Sequence, residues 1–245
     1  MKPLQHAQIS RKTYGGSWQD YIEVHSFLDS SKAACAHFKH RFFLHHREGI
    51  ELGAMIFGAE IVNGDNEKIP TRRLLTDHLI EDLGSEVKID DWANALFPSN
   101  TDSFYKFLAR RRDIVERGEV PGENELLRAF NLKPDDIASV KSFLNRPLES
   151  SSHPAVLLVT HNSFGVFLAE KLFGCAFVKD CGKVASDDSK QQLVAVREVF
   201  ERLIFLRMKS VPSPSEILAR TATEDWMRGD RMAQNLKEKK RSEAL

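Results

Sequence analysis

The stretch DYIEVHSFLD (Asp20–Asp29), continued by HFKHRFFLHHREGIELGAMIFGAEIV (His37–Val62), decides the fold because it recurs further along the chain. It aligns without a gap with DIASVKSFLN (Asp136–Asn145) and HPAVLLVTHNSFGVFLAEKLFGCAFV (His153–Val178). Twelve of the 43 positions from residue 20 to residue 62 are identical, among them a Phe-Gly pair and a His-x-x-x-Gly spacing. Self-similarity at a fixed offset is typical of repeated structural units. We therefore predict two tandem related helical units.

The apolar pattern within each unit predicts a mainly α fold with small β-hairpins, an α+β class. Apolar residues recur at near-helical spacing, and glycines follow them at the expected helix ends. The dipeptide Asn63-Gly64 separates two short apolar runs and readily takes positive φ, as a hairpin turn requires. In the first unit we expect a short helix over Tyr21–Leu28, a long helix over Ser31–Phe57, a third helix capped by Thr71 and ending near Gly84, and a last one over Asp90–Phe97.

These elements predict four segments of chain. Residues 1–97 form the first helical unit, residues 123–223 form the second, and residues 98–122 form a charged connector. In the connector, SFYKFLARRRDIVERG (Ser103–Gly118) offers opposite charges one turn apart, such as Arg112 and Glu116, which is typical of a solvated helix. Residues 224–245 are expected to form a polar helix with a basic end.

Composition limits the class of protein. Of the 245 residues 42% are hydrophobic, enough for a packed core, and 35 basic residues balance 35 acidic ones, so no nucleic-acid or anionic membrane partner is expected. Three cysteines (Cys35, Cys175 and Cys181) form no Cys-x-x-Cys pair, and the N-terminus lacks an apolar signal-peptide core. Polar residues interrupt the longest apolar-rich stretch, Ala155–Phe173. We expect a cytoplasmic protein without a membrane partner, in which the duplication suggests self-association through the two units.

Polar residues of the first unit fall on faces that the helical pattern would bury. His25 and Asp29 are one helical turn apart, and so are His78 and Asp82. Between and beside these pairs the chain carries His40, Arg41, His45, His46 and Glu81. Imidazole and carboxylate groups are the usual protein ligands of zinc, manganese and iron, and a helical scaffold can bring them together from separate helices. The pattern therefore predicts a divalent-metal site.

The metal hypothesis assigns each residue a role. The five predicted metal ligands are His25, Asp29, His45, His78 and Asp82. A bound cation would lower the pKa of a water molecule toward ~7 and so make it a nucleophile. His46 or Glu81 would act as the catalytic base, and Arg41 would hold an anionic group. The predicted function is a metal-dependent hydrolase of a phosphoester or nucleotide-like substrate.

A non-catalytic function fits the same residues. A His–Asp pair one turn apart is also typical of a hydrogen-bonded support, and on a helix the adjacent His45 and His46 would point about 100° apart. The alternative is a binding or interaction protein in which the cluster is a structural network or a ligand pocket. The segment ELLRAFNLKPDDIASVKSFL (Glu125–Leu144) has the outline of a helix-turn-helix, but its second helix carries Asp135 and Asp136, which suit phosphate contacts poorly.

The second unit lacks the polar cluster. Aligned positions carry Lys141 for His25, Asn145 for Asp29, Val156 for His40, Leu157 for Arg41 and Asn162 for His46. In a slightly shifted register, Glu198 and Arg202 stand for His78 and Asp82, and only His45 keeps its counterpart, His161. Because the apolar pattern persists while the polar one does not, we place the function in the first unit.

The first unit resembles a family of small bacterial and phage-associated proteins known only as a domain of unknown function. The resemblance rests on YGGSWQDYIEVHSFLDSSK, KHRFFLHHREGI, HLIEDLG and DDW, and it covers roughly residues 6 to 95. The chain departs from the family pattern at Ser85–Lys88, where a Pro-containing turn is expected before Asp-Trp. The second unit resembles a degenerate member of the family. The resemblance implies no activity, and it implies a phage or mobile-element origin for the interaction-protein alternative.

Overall fold

The computed structural model describes residues 1–98, 103–180 and 192–221. This part of the chain is mainly helical with two antiparallel two-stranded sheets, which confirms the predicted mainly α fold with small hairpins. The described residues divide into two compact units, the first comprising residues 1–98 and 218–221 and the second comprising residues 103–180 and 192–217. Most of the expected connector, including the helix Ser103–Glu116, therefore groups with the second unit. The expected helix over residues 224–245 and Cys181 lie outside the described residues.

The first unit packs helices and one hairpin around an apolar core. Its elements are α1 (Pro3–Tyr14), α2 (Gln19–Asp29), 3-10 turns at Ser30–Ala33 and Phe38–Phe43, α3 (Arg47–Phe57), β1 (Glu60–Val62), β2 (Lys68–Pro70), α4 (Thr71–Leu83) and α5 (Ile89–Leu96). Helix α2 packs against α1, α3 and α4, so it is the central element. The fully buried side chains of Tyr21, Phe42, Phe43 and Trp92 fill the core together with leucines of α2 and α4.

The prediction of one long helix over Ser31–Phe57 is wrong. The chain instead forms two 3-10 turns and an irregular segment before α3 begins at Arg47. Residues 40–46 are all buried, so their sequence shows no alternation of buried and exposed positions. Without that alternation the sequence does not distinguish a helix from a turn here. His46 has an extended backbone, and its imidazole Nδ1 accepts the N–H of Gly49 at 3.3 Å, which starts a new helix at this point.

The hairpin predicted at Asn63-Gly64 is present, with β1 antiparallel to β2. Its turn differs from the prediction, because Asn66 is the residue with positive φ, at 65°. The buried amide of Asn63 organises the turn instead, since its oxygen accepts two backbone N–H groups of the loop at 3.0 and 2.9 Å. Thr71 is the first residue of α4 rather than its cap, a position that Pro70 takes, and Gly84 ends α4 with a φ of 79°.

The second unit has, in its C-terminal part, an order of helices and strands similar to that of the first unit. It contains α6 (Ser103–Glu116), α7 (Glu123–Phe130), α8 (Pro134–Ser150), a 3-10 turn at Pro154–Val156, α9 (Leu157–Thr160), α10 (Ser163–Phe173), β3 (Ala176–Val178), β4 (Leu193–Ala195), α11 (Val196–Met208) and α12 (Pro214–Leu218). Helix α10 has 11 residues, as α3 does, and α11 has 13 residues, as α4 does. Each of these pairs begins at an equivalent place, α3 and α10 after a polar cap and α4 and α11 directly after a strand.

Among the described residues, no single helix has both the length and the apolar character needed to cross a membrane. The pair Pro154–Thr160 and Ser163–Phe173 meets that length and composition only when its two parts are joined, and they are bent by 54°.

Candidate metal centre

Three parts of the first unit direct polar side chains to one buried point. Helix α2 contributes Asp29, the segment before α3 contributes His45, and α4 contributes His78 and Asp82. One ligand atom from each of these four side chains lies within 4.8 Å of the other three, and all four residues are buried. The structure thus brings together four of the five residues that the sequence pattern suggested as ligands.

His45 lies between the two carboxylates. Its Nε2 is 3.4 Å from Asp82 Oδ2 and 3.6 Å from Asp29 Oδ1. The Nε2 of His78 is 3.8 Å from the same oxygen of Asp82. Because metal–ligand bonds are about 2.0–2.2 Å long, neighbouring ligand atoms around an ion are about 3–4 Å apart. These spacings already match a metal site.

Several atoms at this point have no hydrogen-bond partner within the described part of the chain. They are Nε2 of His45, Nε2 of His78 and Oδ1 of Asp29, all of them buried. Each unsatisfied buried polar group costs about 1–3 kcal/mol, so folded proteins rarely keep several together. A cation at their centre would satisfy all three.

Two backbone contacts fix the direction of His45. Gly49 lets α3 start very close to the preceding turn, because a Cβ at this position would lie 1.8 Å from the carbonyl oxygen of Leu44. On the other side, the indole N–H of Trp92 on α5 donates to the carbonyl of His45 at 2.8 Å. A buried tryptophan and a glycine therefore hold the turn that presents this imidazole.

His25, predicted as a ligand, contacts a ligand instead. Its Nε2 is 2.8 Å from the hydroxyl of Ser10, and its Nδ1 is 3.2 Å from Nδ1 of His78. Burial lowers the pKa of His25 to about 3, so the ring is neutral. If Nδ1 of His78 donates to His25, then His25 donates from Nε2 to Ser10, and Nε2 of His78 keeps its lone pair. Both nitrogens of His25 are occupied, and its role is to orient His78.

His46, predicted as a base, is a helix cap. Its Nδ1 accepts the N–H of Gly49, and its Nε2 donates to the carbonyl of Phe42 at 3.1 Å. Burial lowers its pKa to about 3. Because both ring nitrogens are bonded to backbone groups, the structure assigns His46 to the start of α3 rather than to proton transfer.

Glu81 and Arg41 border the four-residue cluster. Oε2 of Glu81 is 2.5 Å from Nδ1 of His6, and the side chain of Glu81 is 19% exposed. Arg41 donates from Nη2 to Asp82 Oδ2 at 2.9 Å, with its side chain 10% exposed. Glu81, predicted as an alternative base, thus contacts the imidazole of His6. Arg41, predicted to hold an anionic group, donates a hydrogen bond to the carboxylate of the ligand Asp82.

Helix α1 brings in His6, which the sequence pattern did not reveal. His6 is fully buried, its Nε2 is 3.3 Å from Asp82 Oδ1, and its ring stacks on that of His78 with the centroids 3.8 Å apart. The available signal lies in MKPLQHAQIS, where Pro3 suits the start of a helix and His6 and Ser10 share one face.

The protonation states of the clustered side chains suit metal binding. Burial alone would raise the pKa of the Asp82 carboxyl, but His45, His6, the guanidinium of Arg41 and the N-terminal amine of Met1 together hold that pKa well below its usual range. Burial lowers the pKa of His45, which keeps this imidazole neutral. Burial acts in the same direction on His6, yet Asp82 and Glu81 raise the pKa of His6 above its ordinary value. The ionised carboxylate of Asp82 thus lies beside the neutral imidazole of His45, and these are the protonation states that metal ligands need.

The second unit has a buried guanidinium, that of Arg207, at the same position within its helix as Asp82 has in α4. Arg207 is the twelfth residue of α11, as Asp82 is of α4. Its side chain is 3% exposed and forms two hydrogen bonds to Glu123, at 2.9 and 2.8 Å. The predicted counterpart, Arg202, is instead 61% exposed and pairs with Glu198 on the surface. By position within the helix, Arg207 rather than Arg202 matches Asp82.

Arg207 contacts the aligned counterparts of two ligands. Its Nη1 donates to Oδ1 of Asn145 at 2.8 Å and lies 3.4 Å from Nε2 of His161. In the sequence alignment, Asn145 corresponds to Asp29 and His161 to His45. In the second unit a permanent cation thus contacts both residues that the sequence alignment pairs with Asp29 and His45.

These features define a buried imidazole–carboxylate centre on a helical scaffold, a class of site that suits a divalent cation. Residues 1–101 match the family model described as Domain of unknown function (DUF6915). The match confirms that the first unit is similar to an uncharacterised domain family. A search of curated proteins and a search of solved structures each gave no significant match.

Proposed function

We propose that the first unit binds a divalent metal ion and uses it to hydrolyse a phosphoester or nucleotide-like substrate. The ligands are two carboxylates and two imidazoles, from Asp29, Asp82, His45 and His78. The observation that carries the metal site is the convergence of four buried ligand atoms within 4.8 Å of one another. The mixture of nitrogen and oxygen donors suits zinc, manganese or iron.

The contacts of the Arg207 guanidinium in the second unit are an argument for a cation in the first unit. Arg207 satisfies Asn145 and His161 there with a charged donor. In the first unit the aligned positions carry Asp29 and His45, and Oδ1 of Asp29 and Nε2 of His45 have no hydrogen-bond partner within the described residues. A metal ion would supply at this point the positive charge that a side chain supplies in the second unit.

Hydrolysis of an anionic substrate is favoured by the residues beside the ligands. A divalent ion lowers the pKa of a bound water toward ~7. Nζ of Lys32 is 2.8 Å from Asp29 Oδ2, and its side chain is 42% exposed. Arg41 lies beside the other carboxylate, that of Asp82. Two basic groups next to the ion would attract and orient a phosphate group.

One observation favours a non-catalytic site. The imidazoles of His45 and His78 are fully buried, and the carboxylates of Asp29 and Asp82 are 4% and 0% exposed. Closed metal sites are typically structural, whereas catalytic ones keep a position open to water or substrate. The second candidate function is therefore a metal-stabilised binding module.

Metal analysis followed by an activity assay separates these functions. The tag-free full chain is reconstituted with zinc, manganese or iron, dialysed and analysed beside Asp82→Asn and His78→Asn, with the exposed His37→Asn as control. Retained metal in the wild type and the control, and its loss from both ligand variants with unchanged circular dichroism, supports the site. A wild type that retains none of the three metals overturns it. Turnover of bis(p-nitrophenyl) phosphate by the metal-loaded form supports the hydrolase, and metal binding without turnover overturns it in favour of the binding module.

We also propose that the two units are products of a duplication, in which the second lost the metal site. The shared element order, the equal lengths of α3 and α10 and of α4 and α11, and the aligned identities support this proposal. So does the tight helix start that recurs at Gly165, where a Cβ would lie 1.9 Å from the carbonyl oxygen of Thr160. An experimental structure in which α8–α11 failed to superpose on α2–α4 would contradict it.

A further inference from the structure

Two more histidines direct an unpartnered Nε2 atom to the cluster, as the ligands His45 and His78 do. The first is His40, whose side chain is 1% exposed. Its Nδ1 is 2.9 Å from the buried hydroxyl of Ser31, whereas its Nε2 has no hydrogen-bond partner within the described residues. That Nε2 points to the cluster, 3.9 Å from Oδ1 of Asp29.

The second is His6, on the opposite side of the cluster. Its Nδ1 is bonded to Glu81, and its buried Nε2 also lacks a hydrogen-bond partner in the part of the chain that is described. This nitrogen lies 3.3 Å from Oδ1 of Asp82, whereas His45 and His78 face Oδ2 of the same carboxylate. The two oxygens of Asp82 therefore face different imidazoles.

Three imidazoles of the cluster share one pattern of contacts. Their Nδ1 atoms are engaged, by Ser31 for His40, by Glu81 for His6 and by His25 for His78. Their Nε2 atoms all converge on the carboxylates without a hydrogen bond. Metal-binding histidines typically bond their second nitrogen to a carboxylate, carbonyl or other polar group, which fixes the ring. His6 and His40 thus have the contacts of ligands, although they lie outside the closest four.

The six side chains divide into two groups of two imidazoles and one carboxylate. The first group is Asp29, His40 and His45, and the second group is Asp82, His6 and His78. The groups meet where Nε2 of His45 lies 3.4 Å from Oδ2 of Asp82. Two histidines and one carboxylate can hold a transition metal and leave coordination positions open. Around a single ion, the same six donors would leave no position for water.

We propose that the centre holds two divalent metal ions, one in each of these groups, with Asp82 shared between them. This proposal rests on the proposed metal function and defines it further. Paired ions about 3.5–4 Å apart stabilise both the attacking and the leaving oxygen of a phosphoester, so two ions also suit the proposed substrate class. His6 and His40 are then metal ligands, and helix α1 is part of the site.

Metal stoichiometry in three matched variants tests this proposal. Asparagine replaces histidine in each, because its amide can keep the Nδ1 contact while the Nε2 donor is lost. The metal-free full chain is titrated with manganese and dialysed, and bound metal is counted. We expect two ions per chain in the wild type and in the control His37→Asn, and one ion per chain in His6→Asn and in His40→Asn. Circular dichroism verifies that each variant is folded.

The outcomes separate this proposal from the one it rests on. One ion per chain in the wild type, unchanged in both variants, overturns the second ion and leaves the metal site standing. No bound ion in the wild type overturns both. Electron paramagnetic resonance of the fully loaded wild type gives a check that needs no variant. An exchange-coupled manganese signal supports two adjacent ions, and a signal from isolated manganese overturns them.

Discussion

Replacing Gly49 by alanine should displace the turn that carries His45. The new Cβ would lie 1.8 Å from the carbonyl oxygen of Leu44 and 2.6 and 2.8 Å from its carbonyl carbon and Cα. All three are backbone atoms, so no side-chain rotation relieves the overlap. Real Cβ atoms stay at least about 3.0 Å from such neighbours, so the turn or α3 must move by roughly 1.2 Å.

The free energy of this change follows from two opposing effects. Overpacking of a rigid site costs about 1–3 kcal/mol, and an overlap with backbone lies at the upper end, about 3 kcal/mol. Alanine is favoured over glycine within a helix by about 1 kcal/mol. We therefore expect the free energy of unfolding of the first unit to fall by about 2 kcal/mol. Since His45 moves with the turn, metal affinity should fall at least tenfold, which corresponds to about 1.4 kcal/mol.

The matched control is Gly165→Ala in the second unit. Its Cβ would lie 1.9 Å from the carbonyl oxygen of Thr160, so the steric conflict is nearly identical. Urea denaturation measures the free energy of unfolding, and titration with zinc or manganese measures affinity. Gly165→Ala should lose similar stability and keep wild-type metal affinity. Wild-type stability in Gly49→Ala would refute the steric argument, and an equal loss of metal in both variants would refute the location of the site.

Three further predictions concern the supports of the centre and its counterpart. Trp92→Phe leaves the buried carbonyl of His45 without its donor, so urea denaturation should show a loss of about 1–3 kcal/mol, and no loss would mean that this hydrogen bond does not hold the turn. Arg207→Leu removes both hydrogen bonds of the buried Glu123 carboxylate and leaves it only the more distant Lys141, at 3.9 Å. This change should cost about 3–5 kcal/mol in the same assay, whereas the double variant with Glu123→Leu should cost much less; equal losses would contradict a buried ion pair. Metal at a hundredfold excess over its Kd should raise the free energy of unfolding by about 2.7 kcal/mol in the wild type and by much less in Asp82→Asn, and calorimetry that shows the same rise in both would place the metal elsewhere.

The sequence alone predicted the elements that local patterns encode. The apolar spacing located α2 and α4 to within a few residues, Asn63-Gly64 located the hairpin, and Gly84 located the end of α4, because these signals depend on neighbours along the chain. The spacing of one helical turn also identified Asp29, His78 and Asp82 as residues with inward-facing side chains. Helical geometry was sufficient to find these members of the site.

Tertiary structure decided what each polar residue does. Residues 40–46 are all buried, so their sequence has no polar face to show where the helix stops, and only packing reveals that His45 faces the carboxylates while His46 caps α3. His25 looks like a ligand by its spacing from Asp29, yet contacts from α1 and α4 occupy both of its nitrogens. His6 comes from a helix more than 70 positions away from Asp82. Spacing along one helix shows which residues share a face, but the choice among ligand, support and cap depends on atoms that distant segments bring to the same point.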